Sequence, residues 1–446
     1  MFEIPAEVLH IMKELNKNQY QSYLVGGCVR DFLLNKTPHD YDICTSATPE
    51  QVKNVFTKTI PTGEKHGTIT VLINKCPIEV TTFMKSTIYK GDVRENVFTD
   101  NLEEDLARRD FTINAMALDS EGVLHDYHNG KRDLRDRVIR TVGYPEDRYR
   151  EDPLRMMRAV RFATLLKAKY EPSTWYEIMD NLELMEGVSV ERIRDEFVKI
   201  LISEQVETGL RDLELAGLLD IVVPEVKPMY NFDQHNKHHH LNAFEHTIEV
   251  VKNTSPELNV RLAGFFHDIG KPLSVSEDKD KKEYHFYSHH TIGADMTKKI
   301  LTRMKFDNNT VENVTVLVRE HMSRMNLLND KGVKKLINRV GVHNLDDLFD
   351  LQIADIKGSK PPHDFSYVEN IKRRAEEIID TNQPLSIKDL EIGGKELLEI
   401  GMKPGKQMGS TLQELLDEVL ENPELNKKQT LLTMVKEKAE QRKIGI

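Results

Sequence analysis

The segment 25–42, VGGCVRDFLLNKTPHDYD, constrains the fold of this 446-residue chain most strongly, because it joins two glycines to a closely spaced pair of carboxylates. A strand-like apolar lead runs into Gly26 and Gly27, and a short helical pattern separates them from Asp40 and Asp42. If the stretch HDYDICT is a strand, the two aspartates point to the same face, since side chains alternate with period two. Like charges side by side cost free energy unless a positive charge lies between them. The segment therefore predicts an α/β unit with a cation-binding site.

Magnesium is the cation that fits such a pair, because it is a hard ion that binds carboxylates together with substrate phosphates. Two such ions can activate an attacking hydroxyl and stabilise a leaving pyrophosphate. Without Cβ atoms, Gly26 and Gly27 let backbone N–H groups approach a triphosphate, and Arg30 would add positive charge beside it. Glu79 lies on a predicted hairpin of the same domain and is the candidate third carboxylate. The three acids are therefore the predicted catalytic residues, and Mg²⁺ is the predicted cofactor.

The hydrophobic periodicity changes along the chain. The first ~130 residues mix periods, as a small α/β domain does. Residues 67–83 predict a β-hairpin that turns near Asn74, and residues 48–56 begin with a helix capping box. Residues 85–100 are polar without a clean period and predict a loop. From about residue 147 onward the pattern is helical nearly to the end.

Composition limits the class of protein. The length predicts two to four domains, and no apolar run approaches the ~18 residues that span a bilayer. Three cysteines form no ligand or disulfide pattern, so we expect a cytoplasmic protein without a membrane partner. A net charge of −11 argues weakly against a nucleic-acid partner, but residues 131–167 carry eleven basic against six acidic side chains. This local excess could meet nucleic-acid phosphates.

Five segments follow one another along the first half of the chain: GGCVRDFLLNKTPHDYDICT, ARRDFTINAMALD, DYHNGKRDLRDRVIRTVG, EDPLRMMRAVRFA and ERIRDEFVKIL. In this order they resemble the motifs of the bacterial and eukaryotic class (class II) of tRNA nucleotidyltransferases, which belong to the polymerase-β-like superfamily. The resemblance implies an α/β polymerase-β-like nucleotidyltransferase head followed by all-α neck, HD and tail domains. It also implies template-independent addition of CCA to the 3′ end of tRNA from CTP and ATP.

The fourth motif, residues 151–163, contains an acceptor and a donor that could select a base. On a helix, Asp152 and Arg155 share a face, and Asp only accepts hydrogen bonds whereas Arg only donates them. Cytosine and adenine both offer an amino donor beside a ring-nitrogen acceptor, whereas uracil and guanine present a carbonyl and an N–H. Each mispaired buried group would cost about 1–3 kcal/mol. The resemblance assigns base selection to the same pair, and it implies Arg109, Arg158 and Arg161 as nucleotide or phosphate contacts.

The stretches HTIEVV, FFHDIGKP, SHHTIGADM, EHMSRM and LQIADIKG lie between residues 246 and 358. Together they resemble the HD superfamily of metal-dependent phosphohydrolases. The signature is a lone histidine, a His-Asp doublet and a distant aspartate. The implied ligands are His246, His267, Asp268 and Asp355, and the added ligands of two-metal members would be His289 and His321. Imidazole and carboxylate suit a transition metal or a mixed site better than magnesium alone, so the identity of this divalent metal stays open.

These patterns predict four domains. They are a nucleotidyltransferase head (1–140), a helical neck with the nucleotide-selecting helix (141–222), an HD domain (223–372) and a helical, tRNA-binding tail (373–446). The predicted partners are CTP, ATP and the 3′ end and acceptor stem of tRNA, and the sequence does not predict an oligomeric state.

Three other functions stay open. The chain could be a relative that adds only A or only CC, or a poly(A) polymerase. It could also act mainly as an HD-type phosphohydrolase on nucleotide or RNA ends. CC-only members of the family lack a flexible loop after the hairpin, and residues 85–100 fill that place here.

Overall fold

A computed structural model of the chain describes residues 3–90, 93–234, 241–278, 283–325, 329–381 and 383–441. The chain forms two compact units, Met1–Val222 and Val223–Ile446. The division into four domains stays a prediction. In the described ranges no helix is both long enough and apolar enough to cross a membrane.

Unit 1 contains an α/β part followed by helices. Its helices are α1 (Ala6–Lys17), α2 (Gly27–Leu33), α3 (Pro49–Val55), α4 (Leu102–Ala107), α5 (Gly130–Asp136), α6 (Pro145–Glu151), α7 (Leu154–Leu166), α8 (Pro172–Asp180), α9 (Val190–Leu201), α10 (Val206–Leu215) and α11 (Leu219–Val222). Its strands are β1 (Ser22–Val25), β2 (Asp42–Thr45), β3 (Thr59–Gly63), β4 (Thr68–Ile73), β5 (Cys76–Thr82), β6 (Met84–Lys90), β7 (Val93–Phe98), β8 (Ala117–Leu118), β9 (Leu124–His125), β10 (Val138–Ile139) and β11 (Lys169–Tyr170).

One seven-stranded sheet organises the α/β part, with the strand order β3-β4-β5-β2-β1-β8-β9. Strands β2 and β5 pair in parallel, and the other neighbours are antiparallel. The predicted hairpin is β4–β5, and Asn74 and Lys75 turn it with φ values of 50° and 70°. Two positive φ values in a two-residue loop match the twist of the strands. The predicted capping box is also present, since Thr48 and Gln51 cap α3 reciprocally.

Unit 2 is predominantly helical. Its elements are α12 (Ala243–Asn253), α13 (Leu258–Phe266), α14 (Lys271–Ser274), β12 (Val275–Asp278), β13 (Glu283–Phe286), α15 (His289–Arg303), α16 (Asn308–Glu320), α17 (Asp330–Val340), α18 (Leu345–Gly358), α19 (Ser366–Asp380), α20 (Gly394–Glu399), α21 (Lys406–Glu421) and α22 (Lys428–Gln441). Helices α12 and α13 pack against each other and against α18, and α16 packs against α13 and α15. A separate core cluster, which includes Leu397, Leu415 and Leu431, joins α20, α21 and α22.

The prediction of an α/β head followed by helical units is confirmed, with two corrections. The predicted loop 85–100 is wrong over 85–90 and 93–98, because β6 and β7 pair antiparallel from Met84 and Phe98 onward; residues 91–92 of this prediction lie outside the described residues. The sequence hides the hairpin, since polar residues interrupt the strict alternation that marks a half-buried strand. The later units are also not purely helical: β10 pairs with β11, and β12 pairs with β13.

Candidate active site and metal centre

The acidic cluster of unit 1 forms where β2 and β5 run side by side. Asp42 is the first residue of β2, and its partner in the parallel register is Glu79 of β5. Register partners on neighbouring strands point to the same face of a sheet, so both carboxylates project to one side. Asp40 precedes the strand, so the prediction that HDYDICT is wholly a strand is wrong at its first residues.

The charge of this cluster favours a cation. Asp42 is exposed, yet the protein around it removes part of its hydration, which raises its pKa. The carboxylates of Glu79 and Asp40 raise that pKa further, and Arg109 opposes the shift. A divalent ion that binds Asp42 and its acidic neighbours would relieve this repulsion. Among the described residues, Asp40, Asp42 and Glu79 do not form a group of three whose ligand atoms all lie within 4.8 Å of one another.

The two glycines lie beside two arginines. Gly26 precedes α2 with φ +73°, a conformation that favours glycine, and a Cβ at this position would lie 3.4 Å from Arg109 Nη1. A Cβ on Gly27 would lie 3.6 Å from Arg30 Nη2. Arg30 also donates to Asn114 Oδ1 at 2.8 Å. The structure thus places the predicted glycines and both predicted arginines together at the start of α2.

Arg109 has donors to spare for a ligand. Its Nη2 donates to Asp105 Oδ2 at 3.1 Å, and its Nε is buried without a hydrogen-bond partner within the described ranges. Desolvation is the largest influence on the pKa of Arg109 and would lower it, but the Asp105 carboxylate and weaker neighbours, which include Asp110, together raise the pKa. A permanent cation with an unused N–H beside a glycine turn suits a phosphate oxygen.

Asp152 does not lie on the predicted helix. Helix α6 ends at Glu151 and α7 begins at Leu154, and Asp152 between them is extended with φ −149° and ψ 98°. The cause is Pro153, because a residue before proline is disfavoured in the helical region. The i, i+3 helical relationship of Asp152 and Arg155 is therefore wrong. The carboxylate instead accepts from Arg192 Nη2 at 2.8 Å and from the backbone N–H of Leu154 at 3.3 Å.

Arg155 is held almost entirely inside the protein, with 8% of its surface exposed. Its Nη1 donates to Glu151 Oε2 at 2.6 Å and to the Arg148 carbonyl at 3.1 Å, and its Nη2 donates to the Arg108 carbonyl at 3.0 Å. These bonds use three of its five N–H groups, so two remain for a ligand.

The other two arginines of α7 have carboxylate partners. Arg158 donates to Asp110 Oδ2 from Nε at 2.8 Å and from Nη2 at 2.5 Å, and Arg161 forms an ion pair with Glu196 of α9. Burial is the largest influence on the pKa of Asp110 and would raise it, but Arg158 and the hydrogen bonds from Asn114 and the Phe111 N–H together lower that pKa. The arginines 155, 158 and 161 are three residues apart, which is less than the 3.6 residues of one helical turn. Their side chains therefore point in directions that rotate around α7. The role of Arg158 and Arg161 as nucleotide contacts stays a prediction.

Unit 2 brings all six predicted metal ligands together. Four buried histidines each lie with Nδ1 within 3.1 Å of a main-chain carbonyl, which fixes that nitrogen as the N–H donor and directs the lone pair of Nε2 to the centre. The carbonyl partners of His246, His267, His289 and His321 are those of Gly358, Gly264, Phe286 and Val318. Burial lowers the pKa of His289 and His321, which favours the neutral imidazole that binds metals.

The ligand atoms form two groups of three, each within 4.8 Å: His246 with His267 and Asp355, and Asp268 with His289 and His321. In each group two Nε2 atoms approach to 3.3 Å. Lone pairs this close repel each other unless a cation lies between them, so the donor set fits a metal ion in each group. The Asp268 carboxylate reaches both groups, with Oδ2 3.1 Å from His267 Nε2 and Oδ1 3.5 Å from His289 Nε2.

Several neighbours of these sites were not predicted. The acids Asp105, Asp110, Glu151 and Glu196 hold the arginines. Glu151 and Asp105 could have been found from their i, i+4 spacing to Arg155 and Arg109, whereas Asp110 and Glu196 could not. In unit 2, Gln234 accepts from Lys271 Nζ at 2.6 Å, and Lys271 also pairs with Asp268 Oδ2 at 2.6 Å. Gln234 and Lys271 are 37 residues apart, so no local pattern reveals their contact, whereas Asp268 and Lys271 have the local i, i+3 spacing.

Comparison with known proteins gives three family matches in order along the chain. Residues 22–140 match the Poly A polymerase head domain, residues 169–230 match the probable RNA and SrmB-binding site of polymerase A, and residues 243–355 match the HD domain.

Several proteins that are similar to this chain are CCA-adding enzymes. The CCA-adding enzyme of Lactobacillus johnsonii is 51% identical over 44% of this chain, and this chain spans about half of that relative's length, 50%. The CCA-adding enzyme of Lactobacillus helveticus is 33% identical over 94% of this chain and 93% of its own. The crystal structure of the Bacillus stearothermophilus CCA-adding enzyme in complex with CTP superposes with a TM-score of 0.71 at 28% identity, over 98% of each chain. With the acidic cluster, the glycine turn and the HD ligands all in place, this chain belongs to the family of CCA-adding enzymes.

Proposed function

We propose that this chain is a nucleotidyltransferase that adds CCA to the 3′ end of tRNA, from CTP and ATP and without a nucleic-acid template. The observation that carries the proposal is the register of Asp42 opposite Glu79, beside the glycine turn and Arg109. Family membership and the CTP complex of the Bacillus stearothermophilus relative support it. The proposed substrates favour a cytoplasmic location, where tRNA is processed.

The acids would hold magnesium, with Asp40 and Asp42 as the ligands and Glu79 assisting. Bound Mg²⁺ supplies Lewis-acid chemistry: it lowers the pKa of an attacking ribose hydroxyl and neutralises the charge of a leaving pyrophosphate. The protein contributes alignment, because in-line attack on the α-phosphate depends on how the triphosphate is held. Arg109 and Arg30 would hold the phosphates at the start of α2, where Gly26 and Gly27 permit close approach.

Base selection would rest on Asp152 and Arg155, although not as neighbours on one helical face. Asp152 offers acceptors for the amino group shared by cytosine and adenine. Arg155 offers its two remaining N–H groups, from a guanidinium that Glu151 and two carbonyls fix in place. Such fixed groups discriminate well, since mismatched buried donors and acceptors stay unpaired. Arg158 and Arg161 would add positive charge to the same region.

The acceptor stem of tRNA would lie along basic surface of unit 1. Arg132 and Arg135 of α5 are largely exposed, with 74% of each side chain accessible. Contacts of this kind depend on phosphate charge and weaken with salt. The tail, 373–446, is the proposed second tRNA-binding region.

Incomplete activities are the nearest alternative. A chain that adds only A, only CC or a poly(A) tail would use the same acids and the same head. The hairpin β6–β7 occupies the place of the loop that CC-only relatives lack, which favours complete CCA addition. A tRNA transcript that ends before CCA, incubated with CTP alone, ATP alone or both, separates these activities when the products are sequenced. We expect CC from CTP alone and CCA from both, and addition of A only to a CC end would support an alternative.

A second activity is favoured by one specific observation, the two groups of buried ligands joined by Asp268. We propose that they hold divalent metal, with a donor set rich in imidazole that suits a transition ion. The activity would be hydrolysis of phosphate esters at nucleotide or RNA ends, with Lys271 near the substrate phosphate. Two assays of the metal-loaded protein test this activity: ring opening of 2′,3′-cyclic nucleotides to nucleoside monophosphates, and release of phosphate from 3′-phosphorylated nucleotides. Loss of either activity in His267→Ala assigns it to the site.

A further inference from the structure

Helix α9 supplies two side chains to the region of the fourth motif. Arg192 and Glu196 are one turn apart on α9, so they lie on the same face. Arg192 Nη2 donates to Asp152 Oδ2 at 2.8 Å, and Glu196 forms the buried ion pair with Arg161. Glu196 is 4% exposed and Arg161 is 9% exposed. The buried pair ties α9 to α7, so Arg192 reaches Asp152 from a fixed position.

The carboxylate of Asp152 needs such support. Its residue lies between two helices and follows no helical geometry, and its other hydrogen bond, from the Leu154 N–H, is long at 3.3 Å. The described hydrogen bonds of Arg155 go instead to Glu151 and two main-chain carbonyls. A carboxylate accepts up to about four hydrogen bonds, so Asp152 keeps acceptor positions for a base while bound to Arg192.

The pair is also accessible to a ligand. In the ion pair, 29% of the Asp152 side chain and 51% of the Arg192 side chain are exposed. An ion pair this exposed contributes little to folding stability, about 0–1 kcal/mol. A role in stability alone therefore explains little of the arrangement, whereas fixing the direction of a base-reading acceptor would have a large effect on substrate choice.

We propose that Arg192 is a positioning residue for nucleotide selection, which orients the Asp152 carboxylate so that its remaining lone pairs meet the amino group of cytosine or adenine. This inference rests on the proposed function of the same site. Without Arg192 the carboxylate would rotate, so CTP and ATP would lose an aligned acceptor. UTP and GTP would be excluded less strictly, because a displaced carboxylate no longer faces their carbonyl groups.

The test compares nucleotide selectivity in wild type and Arg192→Ala, as the ratio of kcat/KM for CTP to that for UTP on a tRNA transcript that ends before CCA. We expect the ratio to fall about tenfold, as expected for one charge-assisted hydrogen bond, with most of the loss in the KM for CTP. Arg192→Lys keeps a positive donor and should restore part of the ratio. The matched control is Arg194→Ala on the same helix, whose guanidinium pairs with the adjacent Asp195 at 2.8 Å, and it should keep the wild-type ratio.

A double-mutant cycle distinguishes positioning from a general effect on folding. If Arg192 acts through Asp152, Arg192→Ala should change nothing further in an Asp152→Asn background. An unchanged ratio in Arg192→Ala, an equal loss in Arg194→Ala, or additive losses in the double variant would each overturn the inference while wild-type CCA addition stands. A wild-type protein that adds no CMP or AMP would overturn the proposed function, and the inference with it.

Discussion

Asp42 and Glu79 face each other across parallel strands β2 and β5, so two carboxylates of the acidic cluster come from segments 37 residues apart. Their proximity raises the pKa of Asp42, after the larger effect of lost hydration. Metal binding needs the charged form of Asp42, so activity should fall as pH drops through this raised pKa. The position of the acidic limb in the pH dependence of activity therefore reports on the charge that Glu79 places beside Asp42.

Glu79→Gln should move that limb. Removing one negative charge removes one cause of the raised pKa, so the acidic limb of kcat/KM for CTP should shift to lower pH. The maximal rate should fall about 10–100-fold, because a metal-assisting carboxylate is lost. Glu64→Gln, on the surface of the same unit, should leave both limb and rate unchanged. A limb that stays in place or moves to higher pH in Glu79→Gln would contradict the shared cluster.

Gly26→Ala should impair binding of the nucleoside triphosphate. The change forces a side chain onto a residue with φ +73° and puts a methyl group 3.4 Å from Arg109 Nη1. Strain of this kind costs about 1–3 kcal/mol of stability. Gly122→Ala is the control, because Gly122 has φ +83° and open space around its Cβ position. Both variants should lose stability, but only Gly26→Ala should raise the KM for CTP and ATP. Equal KM values in the two variants would argue against a phosphate site at this turn.

Asp110→Asn should destabilise unit 1. Asp110 is nearly buried and holds Arg158, so the change leaves an arginine with a weakened partner and should cost about 1–3 kcal/mol. The folded-state pKa of Asp110 lies below its ordinary value. Its stabilising contribution is therefore full above about pH 4, near the unfolded pKa, and is lost as pH falls through the folded pKa. Urea unfolding should show a clear difference between the variants at pH 7 and a smaller one near pH 3. A difference that grows on acidification would contradict the ion pair.

His289→Gln should remove metal from one of the two ligand groups of unit 2. Elemental analysis of purified protein should show about half the metal of the wild type, because His246, His267 and Asp355 keep their own group. His363→Gln is the control, since His363 is exposed and its Nε2–H donates to the Ser359 carbonyl, outside both groups. CMP addition should stay at the wild-type rate in both variants. Unchanged metal content in His289→Gln would refute the second metal position.

The sequence anticipated the local features and missed the long-range ones. The Asn74 turn and the capping box of α3 follow from residue types and spacing that act over a few residues, and the HD ligands were implied by the family resemblance. The partner acids Asp110 and Glu196 do not follow from local spacing, because tertiary packing brings them to Arg158 and Arg161. Asp152 is a different case, since Pro153 already indicated an extended residue there. In the structure, Pro153 ends the helical pattern that would have put Asp152 and Arg155 on one helix.

The parallel pairing of β2 with β5 was also beyond sequence reasoning. The sequence indicated that Asp42 and Glu79 belong to one domain, but a crossover connection separates their strands. Register between such strands depends on the whole sheet, so the side-by-side position of the two acids emerged only from the fold.

The most direct test of the central claim is the rate of CMP addition to tRNA by Asp42→Asn across a magnesium titration, with Glu50→Gln, an exposed acid of α3, as the control. The change replaces one carboxylate oxygen with an NH2 group, which keeps the shape of the side chain and removes its charge. We expect the rate of CMP addition by Asp42→Asn to fall at least about 10³-fold, and saturating Mg²⁺ should not restore it. Glu50→Gln should add CMP at the wild-type rate. Chain extension by Asp42→Asn at the wild-type rate would contradict the claim that these acids hold the ions for nucleotidyl transfer.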